Sequence, residues 1–136
     1  MIPVLDQAYP DFIGIANKKT VTLDTYKKSI KIILGSEVFT LKEIKYLSDT
    51  LEYNDLIKII IFNSSVKEDI SDNVIYVDSK DDVLDNNKAC IVDRHNIVQY
   101  VGNKISDIER DCMVILSGLG CVLSKHWKIN QYRFSV

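Results

Sequence analysis

The sequence predicts one α/β domain built around a mixed β-sheet flanked by helices, and three observations predict it. Two isoleucine-rich runs, Ser29–Leu34 and Leu56–Asn63, have the nearly continuous apolar character of strands covered on both faces. Between them, Leu41, Ile44, Leu47 and Leu51 recur at three- and four-residue steps as one helical stripe. Strand, helix and strand then need a crossover, hence a parallel pair. Farther on, Ala89–Asp93 and Ile97–Gly102 are linked only by Arg94-His95-Asn96, which forces an antiparallel hairpin.

Taken in order, Pro10-Asp11-Phe12-Ile13-Gly14 opens the chain's first apolar stretch. The β-formers Thr20, Val21 and Thr22 follow the polar, turn-like Asn17-Lys18-Lys19, so a short strand or hairpin is expected there. Gly35-Ser36 breaks the strand Ser29–Leu34. The helix Leu41 to about Glu52 begins at a capping box: the Thr40 hydroxyl takes the amide of Glu43, whose carboxylate reaches back. Tyr53-Asn54-Asp55 ends it. A third strand is expected at Asn73–Asp78, with Ser64–Asp72 a loop or short helix. Asp78–Lys88 is acidic, and its Val83 and Leu84 suit one helical turn. The last helix is expected from Asp107 to about Leu116, capped by Ser106 with Glu109 and stopped at Gly118. Weak alternation at Trp127, Ile129, Tyr132, Phe134 and Val136 reads as one or two further strands. No repeat or linker divides the chain, so 1–136 reads as a single domain.

Composition narrows the function. At 136 residues the chain is long enough to bury a core. A formal net charge of -2 supplies no field for phosphate backbones, which argues against nucleic acid as a partner. The longest apolar run, Ile57–Phe62, falls far short of the ~20 residues that span a bilayer. Met1-Ile2-Pro3-Val4-Leu5-Asp6 lacks a basic region followed by an apolar one, so no signal peptide is read. The compartment stays open: cytoplasmic, or periplasmic or extracellular if a leader has been removed. Cys90, Cys112 and Cys121 show no CxxC spacing, which argues against zinc and against a disulfide scaffold. A single Cys112–Cys121 bridge stays open by proximity.

No other constellation completes a site. His95 falls in a hairpin turn, and His126 adjoins Lys125 and Trp127; neither has metal-ligand spacing. Asp69, Asp72, Asp78, Asp81, Asp82 and Asp85 lack the glycine and closing glutamate of a calcium loop, and Lys80 occupies a ligand position. Gly118-Leu119-Gly120 follows a helix instead of opening one, so it is no phosphate loop. Asn63-Ser64-Ser65 matches a glycosylation acceptor, a common tripeptide. The seven tyrosines (Tyr9, Tyr26, Tyr46, Tyr53, Tyr76, Tyr100, Tyr132) and Trp127 offer aromatic anchors for a protein partner, although core or half-core roles suit most of them. No metal or other cofactor is read, and the oligomeric state is open.

The order and wording of these pieces resemble the redoxin branch of the thioredoxin-like superfamily, the TlpA-type thiol–disulfide oxidoreductases and the peroxiredoxins. Pro10-Asp11-Phe12 resembles its "P-D-F" opening, and Lys19–Lys27 its "GKTVSLSDYKGK" segment. Ile91–Gly102 is similar to its "LIDRDGKIVYVG" hairpin. The resemblance covers most of residues 10–116 and implies a three-layer thioredoxin-like domain, with 117–136 as an extension. It also implies a reactive cysteine where the first buried strand hands over to the helix, since amides and the helix dipole lower a thiol's pKa there. Aligned on Glu43-Ile44, those positions hold Glu37 and Thr40. Neither does sulfur's work: no base is evident beside the Thr40 hydroxyl, and a carboxylate has no two-electron sulfur chemistry. The family's proline before the hairpin strand is replaced by Asn87-Lys88-Ala89, which puts its substrate groove in doubt. The expectation is a redox-inactive domain, structural or protein-binding. The competing reading, from another class, is a diverged thiol oxidoreductase or peroxidase that uses Cys121 or Cys90, Cys121 being the better placed. A third is an anion or small-ligand groove at Gly35, Ser36, Thr40 and Lys88.

Overall fold

A computed structural model describes residues 3–51 and 56–119. Its elements are β1 (Ile13–Ala16), β2 (Lys19–Thr22), a 3-10 turn (Leu23–Tyr26), β3 (Ile30–Leu34), α1 (Leu41–Thr50), β4 (Ile57–Phe62), β5 (Val74–Ser79), β6 (Ala89–Val92), β7 (Val98–Gly102) and α2 (Ile105–Leu119). The strands form one mixed sheet in the order β2-β1-β5-β4-β3-β6-β7. β3, β4 and β5 run parallel, whereas β1 joins β5, β6 joins β3 and β7 joins β6 in antiparallel pairs. The expected hairpin at the N-terminal side is β1–β2. Its turn residues Asn17 and Lys18 both have positive φ, the twist that two-residue hairpins favour.

Alternation along the central strands divides the core in two. Ile30, Ile32 and Leu34 of β3, with Ile57, Ile59 and Ile61 of β4, pack under Ile44 and Leu47 of α1, its C-cap Leu51, and Ile108 and Cys112 of α2. Both helices therefore cover the same face. Ile33, Ile60, Phe62, Val77 and Cys90 point the other way, where they pack with Tyr9, Phe12, Val83 and Leu84 from irregular chain and Leu23 from the 3-10 turn. Phe12 and Phe62 meet edge to face at 4.9 Å, and the Tyr9 hydroxyl donates to the Val83 carbonyl at 2.7 Å. Val83 and Leu84 thus do the burying expected of a helical turn, without forming one.

Stepping from β3 to β4 and from β4 to β5 moves in one direction across the sheet, so crossovers of one hand must share a face. They do. The 63–73 connection runs beside α1 without a helix of its own: Ile70 packs on the core, the Ser48 and Ser71 hydroxyls meet at 2.8 Å, and Lys45 pairs with Glu68 at 3.2 Å. The start of α2 differs from expectation. The Ile108 amide donates to the Lys104 carbonyl, so Lys104 occupies the cap position and Ser106 lies inside the first turn. The Tyr100 hydroxyl accepts the Lys104 amide at 3.3 Å, fixing the entry that Ser106 was expected to fix. Gly118 does not stop α2, which continues to Leu119. The alternating segment beginning at Cys121, and Tyr53-Asn54-Asp55, lie outside the described residues.

Candidate functional site

The chemistry implied by the sequence centres on the corner between β3 and α1. Fully buried Leu34 ends β3, and Gly35 turns the chain out of the sheet. There the backbone of 85–88 presses against it: a Cβ on Gly35 would stand 2.4 Å from the carbonyl oxygens of both Asp85 and Asn86. Only a residue without a Cβ admits that approach. The Gly35 amide donates to the Lys88 carbonyl and the Glu37 amide to the Asn86 carbonyl, each at 2.9 Å. Both amides thereby bond the chain's own loop, the first as a continuation of the β3–β6 pairing.

The α1 N-terminus is occupied in the same manner. Thr40 is extended, its hydroxyl accepts the Glu43 amide at 3.2 Å, and the Glu43 carboxylate accepts the Thr40 amide at 2.9 Å. The capping box read from sequence forms at both hydrogen bonds, and it sets a carboxylate where an anion would meet the helix dipole. Glu37 is exposed on the β3–α1 turn and Thr40 is exposed at the cap. Of the candidate groove residues, Gly35 and Lys88 come together backbone to backbone, Ser36 sits in the adjoining turn, and Thr40 stands at the helix start. Asn87 and Lys88, where the resemblance implies a proline, belong to the strand entry that closes on Gly35.

Sulfur lies elsewhere. The first cysteine in the chain is Cys90. It is fully buried in β6, cross-strand from Ile33, and burial pushes its thiol far above the ordinary range. Cys112 is a free thiol on the inner face of α2, raised by burial and then by the charge of Asp111. A thiol that resists ionisation is a poor nucleophile, so neither residue has the environment of a reactive cysteine. Cys121, the suggested partner of Cys112 in a bridge, lies outside the described residues, as does His126.

The remaining candidates have structural settings. His95 is exposed in the β6–β7 turn, where its amide donates to Asp93 Oδ1 at 2.8 Å. Asn63 takes a positive φ, and its Oδ1 accepts the Ser79 amide at 2.8 Å. In the acidic stretch, Asp78 pairs with Lys67 at 3.2 Å and Asp81 accepts the Ile13 amide at 2.8 Å. Among the described residues, no three His, Cys, Asp or Glu side chains gather as metal ligands. No described helix is long and apolar enough to cross a membrane. Tyr9 is buried, Tyr26, Tyr76 and Tyr100 are half-buried, and Tyr46 is exposed on α1.

One polar residue escaped sequence analysis. Lys31 interrupts the apolar run of β3, yet it is 0% exposed. Its ammonium donates to Asn96 Oδ1 at 2.8 Å and to the Tyr26 carbonyl at 3.3 Å, tying β3 to the β6–β7 turn and the 3-10 turn. Burial lowers its pKa to about 8, against the opposing pull of Asp93 and Asp24. The signal was present: a lysine inside a strand that has no solvent face must be buried or must break the strand.

Comparison with known proteins places this geometry. Neither a family model nor a curated protein matches the chain. Solved structures do. A thiol peroxidase from Chromobacterium violaceum superposes with a TM-score of 0.62 at 14% identity, over 83% of this chain and 88% of that one. A putative protein disulfide isomerase from Bacteroides thetaiotaomicron gives 0.63 at 11% identity, over 84% and 91%. The mitochondrial 2-Cys peroxiredoxin from Plasmodium falciparum gives 0.60 at 13%, over 88% and 99%. The fold is therefore thioredoxin-like, as the sequence resemblance implied.

Proposed function

We propose that this chain is a redox-inactive thioredoxin-like domain acting as a structural or protein-interaction module. The observation that carries the proposal is the self-occupied corner at Gly35–Thr40. Its amides bond the Lys88 and Asn86 carbonyls, and its helix start is capped by Thr40 and Glu43. Oxygen and backbone stand where the redoxin resemblance implies sulfur. A protein partner fits a domain whose scaffold is intact while its chemistry is replaced.

The reading that uses Cys90 draws no support from a fully buried, high-pKa thiol. The test assays reduction of insulin disulfides and consumption of hydrogen peroxide with the full chain, beside thiol titration at neutral pH. No turnover is expected in either assay. Turnover that disappears in Cys121→Ser would overturn the proposal in favour of the thiol enzyme.

A further inference from the structure

The corner at Gly35–Glu37 is closed by the 80–88 connection, irregular chain between β5 and β6. The N-terminal segment supplies bonds that hold this connection. The Tyr9 hydroxyl donates to the Val83 carbonyl at 2.7 Å, and the Ile13 amide donates to Asp81 Oδ2 at 2.8 Å. Tyr9 is 3% exposed and shares one core with Val83 and Leu84. The segment is fastened at its other end to β7, at the edge of the sheet. There the Asp6 amide donates to the Val98 carbonyl and the Val98 amide to the Gln7 carbonyl, each at 2.9 Å, and the Tyr9 amide donates to the Asn96 carbonyl at 2.8 Å. From β7 the chain crosses the sheet face opposite the helices and enters β1, next to the far edge.

We propose that Asp6–Ile13 is a strap that keeps the corner closed, with the Tyr9 hydroxyl pinning the 80–88 connection against Gly35–Glu37. Asn86, three residues after Val83 in the chain, accepts the Glu37 amide at 2.9 Å, and its carbonyl oxygen with that of Asp85 crowds Gly35. A segment without helix or strand opens at lower free energy than the sheet beside it, so the bonds that anchor it set how often the corner opens. Taking away the Tyr9 hydroxyl leaves the Val83 carbonyl buried without this donor, a cost that only the closed state bears. Release of the strap frees the Asn86 carbonyl and the Glu37 amide together. The corner then changes from a self-bonded surface into one that offers a donor and an acceptor to a partner's backbone. This regulation rests on the function proposed above for the same corner, but amide exchange reports closure whether or not a thiol turns over, so the two readings fail separately.

Tyr9→Phe keeps the buried ring and removes only the hydroxyl. Hydrogen exchange followed by nuclear magnetic resonance on the full chain should show the Glu37 amide exchanging about tenfold faster in the variant. The Ile59 amide, bonded to the Asn73 carbonyl in the central sheet, should keep its rate. In the unsubstituted chain the Tyr9 and Glu37 amides should lose protection together in low urea, before Ile59 does, a readout that survives if the variant does not fold. An unchanged Glu37 rate in a folded variant overturns the proposal. So does equal acceleration at Glu37 and Ile59, which would mean a general loss of stability, or separate openings of Tyr9 and Glu37 in the unsubstituted chain.

Discussion

Replacing Lys31 with methionine tests the electrostatics of the central strand. The ammonium is fully buried, and its pKa falls from 10.5 to about 8 because burial outweighs the attraction of Asp93 and Asp24. At 1.36 kcal/mol per pH unit, that gap corresponds to about 3 kcal/mol of folding free energy. The folded pKa lies below the unfolded one, so between about pH 8 and 10.5 the unfolded chain binds more protons. Stability from this group is therefore present above pH 10.5, falls as the pH drops through that window, and is fully lost below pH 8. Lys31→Met removes the group and its pH dependence. It also strips Asn96 Oδ1 and the Tyr26 carbonyl of their donor, a cost of about 1–3 kcal/mol for each acceptor left unsatisfied. At pH 7 the two effects oppose, and the variant should lie within about 2 kcal/mol of the parent. By pH 10.5 the parent should gain about 3 kcal/mol on the variant. Urea unfolding followed by circular dichroism at half-unit pH steps measures the difference, and tyrosine ionisation cancels because both proteins carry the same tyrosines. A difference that stays flat from pH 7 to 10.5 would refute the account of Lys31 as a buried, strained cation.

Other substitutions probe the corner and the core. Gly35→Ala forces a Cβ into the Asp85 and Asn86 carbonyl oxygens and should destabilise by at least about 1–3 kcal/mol, since backbone has to move; an unchanged urea midpoint would contradict the close approach. Thr40→Ala removes the hydroxyl that takes the Glu43 amide and should cost about 1 kcal/mol. In a Cys121→Ser background, Thr40→Cys places a thiol at the α1 N-terminus, where the dipole should bring its pKa below that of a free cysteine; an ultraviolet thiolate titration at or above the free value would show the corner does not polarise sulfur. Leu47, fully buried between α1 and the sheet, should cost about 2–5 kcal/mol on truncation to alanine. Cys90 and Cys112 should react with an aromatic disulfide reagent only as the protein unfolds, and prompt reaction of either would contradict their burial.

What sequence revealed follows how local each determinant is. β3 and β4 announce themselves because a strand covered on both faces must be apolar nearly throughout, and Ile57–Phe62 is. The α1 start was legible for the same reason: a capping box lies within four residues, and Thr40 and Glu43 form theirs. Ser106 and Glu109 present the same spacing without making the cap, because the Tyr100 hydroxyl holds the Lys104 amide and the helix begins earlier. That contact belongs to the preceding strand, outside any capping pattern. Val83 and Leu84 are legible as apolar, yet the helical turn they suit does not form, since burial beside Tyr9, 74 residues distant, is a tertiary fact. The cysteine-free corner was visible residue by residue, while its closure by the 85–88 backbone was not, because hydrogen bonds from Gly35 and Glu37 to Lys88 and Asn86 leave no mark on side-chain identity.

That closure explains why a corner without sulfur can persist in this fold. A strand end and a helix start expose amides that must find acceptors when water is excluded. In a site that works on a ligand, those amides wait for the ligand, at a cost in stability. Here the Asn86 and Lys88 carbonyls take the Glu37 and Gly35 amides and the Glu43 carboxylate takes the Thr40 amide, and Gly35 is the residue that lets the loop come close enough. Restoring sulfur alone should therefore give a polarised thiol whose neighbouring amides are already spent. The Thr40→Cys protein should accordingly react with small reagents yet fail to reduce insulin, and a variant that does both would show that the corner opens to substrate despite its own hydrogen bonds.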